Sequence, residues 1–340
     1  MIDPHVHLRD WNESAKETVK HGLELAYDSG LSGVFEMPNT NPAMISRELL
    51  LRRIDLADSV FTDIFHGIYG GLTADLTQLE EMVNCHRELF PRIVGFKLFA
   101  GKSTGNLSVP ELARQRAIFR RLTELDYRGL VAVHCEKESL FRPELWNPAQ
   151  PLTHSLARAP IAELRSVEDM LSIISETGFQ GILHIAHIST DAAVKTVIKH
   201  REKYPDARVT CGVTAHHLFL SAETIPREKA LLAKVNPPLR SQQTRLQLLQ
   251  HLKNGDIDWI ETDHAPHSKE DKFEKYLSGI PALPIYCSLE KQLTQAGVSS
   301  ELFQKITHDN INKAFGLQLK NRREPNFRDR KGDYWGWIFD

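Results

Sequence analysis

A parallel (β/α)₈ barrel is the fold the sequence predicts, with little or no accompanying β-sandwich. Three observations lead there. Eight short apolar runs alternate with longer amphipathic ones through most of the 340 residues, and a barrel of this kind takes about 250 residues or more as one domain. The first run is not followed by the Gly-rich phosphate turn that an open doubly wound sheet favours. Polar or ionisable residues also stand at or near most of the C-terminal strand ends, where a barrel carries its chemistry.

In chain order, strands are expected at Ile2–His7, Gly33–Met37, Asp63–Ile68, Ile93–Phe99, Leu130–His134, Gly181–His187, Arg208–Val213 and Trp259–Asp263. Helical periodicity lies between them, at Ser14–Asp28, Ser46–Asp58, Leu76–Leu89, Pro110–Leu125, Pro160–Thr177, Asp191–Lys203 and Ser241–Lys253. Pro110 suits a first helical turn, with Ser108 before it as a cap. Further helices are expected at Ser288–Ala296 and Ser300–Gly316. Long connections at Cys135–Ala159 and Thr214–Arg240 belong on the catalytic face as lids or walls. The barrel is expected over residues 1–318. A polar and then aromatic tail (Tyr334, Trp335, Trp337, Phe339) follows over 319–340.

Charge and cysteine usage narrow the function classes. Forty-two basic residues nearly balance forty-four acidic ones, which gives no electrostatic case for nucleic acid or an anionic membrane surface. No apolar run approaches the roughly 20 residues that span a bilayer. The four cysteines are far apart and read as reduced thiols. A cytoplasmic enzyme acting on a small molecule is the expectation, with no room for a signal peptide before the first motif.

That motif is Asp3-Pro4-His5-Val6-His7-Leu8-Arg9. Alternation along a strand puts His5 and His7 on one face, where two imidazoles can share a divalent cation. Lys97 lies within an apolar stretch, Val94-Gly95-Phe96-Lys97-Leu98-Phe99-Ala100, in which a charged amine is poorly solvated. Desolvation lowers its pKa, and a neutral amine can take up CO₂ to form a metal-bridging carbamate; snorkelling to the barrel mouth is the plainer alternative. His134 and His187 each close a strand-like run, as metal ligands or as core histidines bonded to the backbone. His184, three residues before His187, is expected on the opposite strand face and deeper. Asp263 can touch a metal and exchange a proton with substrate, or simply cap the following turn. His267 is placed on the loop beyond it, and His216 and His217 stay outside the metal shell.

Taken together with Met37-Pro38-Asn39-Thr40 and Thr262-Asp263-His264-Ala265-Pro266-His267, this set resembles the amidohydrolase superfamily and, within it, the dihydroorotase family. The resemblance runs from Ile2 to about Gly316. It implies a cyclic amide hydrolase with two Zn²⁺ per chain, His5, His7 and Asp263 holding one and His134 and His187 the other. An N6-carboxylysine at Lys97 and a hydroxide would bridge them. Arg9, Asn39 and His267 match the family positions that grip a substrate carboxylate, and Asp263 the general acid/base. The implied reaction is reversible hydrolysis of (S)-dihydroorotate to N-carbamoyl-L-aspartate in de novo pyrimidine (UMP) synthesis, and the resemblance is compatible with a homodimer. By analogy Gly101–Asn106 closes over substrate, with Ser103 and Thr104 as donors. Two features depart from the family pattern. No β-sandwich segment precedes the His-x-His strand, and Asp10-Trp11-Asn12-Glu13 replaces a Glu-Pro-Gly turn. A hydantoinase- or allantoinase-type enzyme, or an inactive scaffold, is the alternative.

Overall fold

The structure is a computed structural model, and it describes residues 1–322 and Pro325, except Phe61 and Thr104. Its frame is one sheet of eight parallel strands in sequence order. They are β1 (Ile2–Val6), β2 (Gly33–Glu36), β3 (Phe65–Gly71), β4 (Ile93–Phe99), β5 (Leu130–His134), β6 (Ile182–Ile185), β7 (Val209–Thr214) and β8 (Trp259–Glu261). The ring closes through a parallel bridge between Val6 and His264 and a 2.8 Å hydrogen bond from the His7 amide to the His264 carbonyl. The expected barrel is therefore the observed fold.

Helices α1 (Val19–Asp28), α2 (Arg47–Asp58), α3 (Leu76–Leu89), α4 (Leu112–Glu124), α5 (His154–Ala157), α6 (Pro160–Thr177), α7 (Asp191–Lys203), α8 (Ala215–Phe219) and α9 (Gln242–Asn254) surround or follow the strands. Several start where their sequence says they should. Thr18, Ser46, Asp75, Thr190 and Ser241 each accept a backbone N–H of the first turn, satisfying donors the helix cannot use internally. Ser108 does not act this way. It bridges to Phe99, with Val109 N donating to the Phe99 carbonyl at 2.8 Å, so Pro110 lies before the helix rather than in its first turn. Helix α1 is also shorter than expected, starting at Val19 with Thr18 as its cap, and a separate 3₁₀ turn at Trp11–Glu13 precedes it.

Two cores share the work. Outer strand faces pack against the helices, while Ile2, Phe35, Tyr69, Leu130, Ile182 and Trp259 fill the barrel floor with Phe315. Leu319 packs against that floor, and Asn321 receives a hydrogen bond from the amino terminus. The remainder of the aromatic tail, including Tyr334, Trp335, Trp337 and Phe339, lies outside the described residues.

One buried ion pair ties this frame to the site. Arg53 on α2 and Glu36 at the end of β2 are both fully buried and hydrogen-bonded, and His66 on β3 lies 2.9 Å from the same carboxylate. Burial alone would raise the Glu36 carboxyl, but the Arg53 charge and the hydrogen bonds overcome it and hold the group at about 2. Arg53 also donates to the Arg9 carbonyl at 2.7 Å, pinning the loop after β1. Replacing Arg53 by Met strands a buried carboxylate, so a loss of about 3–5 kcal/mol in urea unfolding at neutral pH is expected. Because the Glu36 pKa is depressed, this contribution is complete above its unfolded value of 4.5 and fades as pH falls toward 2. A loss below 1 kcal/mol at pH 7 would show that the pair does not support the frame.

Candidate metal centre and active site

The sequence-predicted site residues converge at the C-terminal mouth of the barrel. His5, His7, Arg9, Asn39, Phe99, Ser103, His134, His187 and Asp263 line one cleft of about 370 Å³. Thr104, the other loop donor expected from the sequence, lies outside the described residues.

Six of these groups stand beyond the last residue of the strand before them, the candidate donors His7, His187 and Asp263 among them. His7 follows β1, His187 follows β6 by two residues and Asp263 follows β8 by two. Arg9, His187 and Asp263 take left-handed backbone angles, with φ of 55°, 41° and 48°. Such angles are unfavourable for side-chain-bearing residues and persist where surrounding contacts impose them. Around Asp263 the contacts are visible. Fully buried Asp3 accepts from the Thr262 amide at 3.1 Å and from the Thr262 hydroxyl at 2.5 Å, and also from the His5 amide at 3.2 Å.

Asp263 Oδ1 lies 2.9 Å from His7 Nε2 and 3.3 Å from His5 Nε2. Among the described residues these three offer ligand atoms within 4.8 Å of one another, a geometry that can hold a cation. On the other side of the cleft, His134 Nδ1 and His187 Nε2 face each other at 3.1 Å. His5 and His187 bridge the two halves, their ring centroids 5.2 Å apart. Burial lowers His7 to about 4, and also depresses His134 and His187, so all three present the neutral imidazole that a metal requires. His5 moves up instead: burial and Lys97 oppose its charge, but Asp263 and Glu261 outweigh them. Asp263 itself is held well below the carboxylate range, because hydrogen bonds from His5 and His7 overcome the cost of burial.

Lys97 is fully buried on β4, and its Nζ has no hydrogen-bond partner. Burial pulls it down to about 8. An unpartnered amine is costly in such a place unless another group completes it. His5, His7 and Asp263 fit a divalent cation, and His134, His187 and the orphaned Lys97 amine supply further donors in the same cleft.

The residues expected to bind substrate separate. Arg9 is buried with its Nε unpartnered, and it lines the cleft with Asn39. His267 sits one layer back, its Nε2 3.3 Å from Arg9 Nη2 and 2.9 Å from the Ser278 carbonyl. Its reach toward a ligand in this conformation passes through Arg9. Sequence reasoning missed Asn236, Ser278 and Gly279, which complete the cleft wall; Asn236 lies in one of the long connections, the only signal pointing to it. Glu136, two residues after the β5 end, was missed too. Its carboxylate lies 3.0 Å from His134 Nε2 and pairs with Arg158.

His184 corrects the sequence reading. It lies deeper, as expected, but faces the barrel interior, stacked on Trp259 at 4.3 Å and 3.2 Å from Glu261. Strict alternation fails here because β6 ends at Ile185 and His187 lies in a turn. His217 bonds to Thr214 and the Pro237 carbonyl, a structural role, while His216 is buried with Nδ1 unpartnered.

No protein-family model matches the chain. Among curated proteins, the dihydroorotase of Thermococcus kodakarensis is 32% identical over 323 residues, covering 94% of this chain and 68% of the relative. The chain belongs to the dihydroorotase family. That family groups cyclic amide hydrolases, and the Brevibacillus brevis dihydroorotase is 34% identical over 279 residues, 80% of this chain and 61% of its own. The chain thus spans about two thirds of the length of such relatives. Solved structures of the L-hydantoinase of Arthrobacter aurescens (TM-score 0.81, 21% identity, 95% of this chain and 72% of that one) and the D-hydantoinase of Thermus sp. (0.77, 21%, 95% and 72%) share its barrel fold. Among the described residues no helix is long and apolar enough to cross a membrane.

Proposed function

We propose that the chain catalyses the reversible hydrolysis of (S)-dihydroorotate to N-carbamoyl-L-aspartate, the cyclic-amide step of pyrimidine synthesis. The observation that carries this reading over other cyclic amides is the buried Arg9 guanidinium with a free Nε, set beside Asn39 on the same cleft as the histidine and aspartate donors. A planar fork of donors at that place suits a ring carboxylate, which hydantoin and allantoin lack.

His5, His7 and Asp263 would hold one zinc ion, His134 and His187 the other, and a carbamate on Lys97 would join them. Such a pair, when bound, supplies ionised water near neutral pH and polarises the ring carbonyl. The chain's own groups do the rest. Arg9 and Asn39 orient the ring by its carboxylate, with His267 steadying Arg9 from behind. Asp263, ionised and partly open to the cleft, takes the proton of the attacking water and delivers it to the ring nitrogen as the amide C–N bond breaks. In the reverse direction it removes a proton from the carbamoyl nitrogen, which attacks the side-chain carboxyl carbon, and returns the proton to the carboxyl oxygen that departs as water when the C–O bond breaks. The buried free thiols Cys85, Cys135 and Cys211 fit a reducing, cytoplasmic setting.

Purified protein assayed side by side on dihydroorotate, hydantoin and allantoin tests the proposal. Dihydroorotate is expected to give the highest kcat/KM. Arg9→Gln should raise KM for dihydroorotate about 10–100-fold, the effect of losing a charged hydrogen-bonding pair, while leaving hydantoin turnover unchanged. Preference for hydantoin or allantoin, with indifference to Arg9, would turn the assignment to the other cyclic amides.

A further inference from the structure

Directly beneath the proposed metal centre lies a second carboxylate that the reaction does not use. Glu261 is the last residue of β8, two before Asp263, and is essentially without solvent exposure. Its Oε1 accepts the backbone N–H of His187 at 2.5 Å and lies 3.5 Å from His5 Nδ1, a buried nitrogen that otherwise meets no acceptor within hydrogen-bond distance. Its Oε2 faces His184 Nε2 at 3.2 Å and accepts the Trp259 indole N–H at 3.2 Å. Each oxygen thus faces two nitrogens, close to the full capacity of an ionised carboxylate.

The neighbouring strand is shaped around it. Gly212 on β7 pairs with Trp259, and Thr214 pairs with Glu261. A Cβ added at Gly212 would come within 2.8 Å of both the carboxyl carbon and Oε2 of Glu261. Contacts that short force a displacement, and this side-chain end is held at both oxygens. The absence of a side chain at 212 is therefore what leaves room for the carboxylate.

We infer that Glu261 is a positioning residue for the metal site, holding His5 through Nδ1 and His187 through its main chain so that both rings present their Nε2 atoms to the cleft. His5 serves one half of the donor set and His187 the other, so a single anion on β8 aligns strands β1 and β6 for both ions. A carboxylate behind a ligating imidazole fixes its tautomer and raises its basicity, and removing one commonly costs 10–100-fold in metal affinity. The proton on His5 then sits on Nδ1, which leaves the Nε2 lone pair for the cation.

This role rests on the metal reading given above, and its test separates the two. Zinc affinity is measured by chelator competition for the wild type, Glu261→Gln, Glu261→Ala, Gly212→Ala and the double variant Gly212→Ala/Glu261→Ala. The Nδ1–H resonance of His5 is followed by ¹⁵N NMR of zinc-loaded protein. Glu261→Gln keeps the shape and an acceptor for the His187 amide, so its thermal midpoint without zinc should stay within a few degrees of wild type. Its zinc affinity is nonetheless expected to fall about 10-fold, and that of Glu261→Ala 10–100-fold, with loss of the protected His5 proton. Gly212→Ala should weaken zinc binding in the wild type and do so much less in the Glu261→Ala background, where the added methyl meets only the Trp259 indole nitrogen at 3.0 Å. Affinities of both Glu261 variants within twofold of wild type, or additive losses in the double variant, overturn the positioning role while the metal site stands. A wild type that takes up no zinc overturns both.

Discussion

Asp263→Asn should lose about 10²–10⁴-fold in kcat in both directions of the reaction, the scale expected for a missing general acid/base. That corresponds to about 3–5 kcal/mol of barrier. The substitution keeps an oxygen where Asp263 Oδ1 meets His7 and His5, but that oxygen no longer takes up a proton. Asparagine is also the right probe for the backbone. Asp263 sits at φ 48°, a region that Asn enters readily and Ala does not. Asp263→Ala therefore combines three losses: the base, a metal donor and about 1–3 kcal/mol of backbone strain. Zinc content and thermal midpoint measured beside kcat distinguish them. An Asn variant that keeps its zinc and more than a tenth of wild-type turnover would show that another group moves the proton.

Where the sequence was legible, the reason is periodicity. Strands β4 and β5 fall on the residues expected because they are continuous apolar runs buried on both faces. The errors gather at the catalytic ends. Runs expected to extend through His7, His187 and Asp263 stop short, since the ladder ends before the turn that aims these side chains. Nothing in residue order announces a left-handed angle at His187, so the alternation that should have separated it from His184 gave the wrong face. The metal donors were readable as residue types that are costly to bury. Applied consistently, the same argument would have caught Glu261, a carboxylate inside a predicted apolar strand and two residues from Asp263, and Asp3 at the start of the chain. What no local pattern conveys is which buried carboxyl groups meet which donors: Glu36 with Arg53, Glu136 with Arg158, and Glu163 with the Thr190 hydroxyl and Ser189 amide are long-range pairings that only the closed barrel creates.

Lys97→Met should leave a folded barrel that binds less than half the wild-type zinc and turns over at least about 10³-fold more slowly. The fold survives because the Lys97 amine holds no partner that its removal would strand, and Met fills a similar volume without a charge. Lys97→Arg should fail in the same way, since a guanidinium stays protonated and forms no carbamate. The sign of the pH effect follows from the displaced amine. Lys97 is lowered from 10.5 to about 8 by burial, so between those values the unfolded chain binds a proton that the folded one has released. Stability of the metal-free wild type therefore rises from pH 8 to 10.5 through this group, and below pH 8 the folded state carries its full penalty. The difference in unfolding free energy between wild type and Lys97→Met, taken in urea at pH 7.5 and pH 10, isolates that slope from other lysines such as Lys234 and Lys272. Met should be the more stable at pH 7.5, and the gap should narrow at pH 10. Carbamate formation consumes the same neutral amine, so added bicarbonate should speed zinc uptake by the wild type near pH 8 and do little near pH 6. A Met variant that loads two zinc ions at the wild-type rate, with or without bicarbonate, would place the bridge elsewhere.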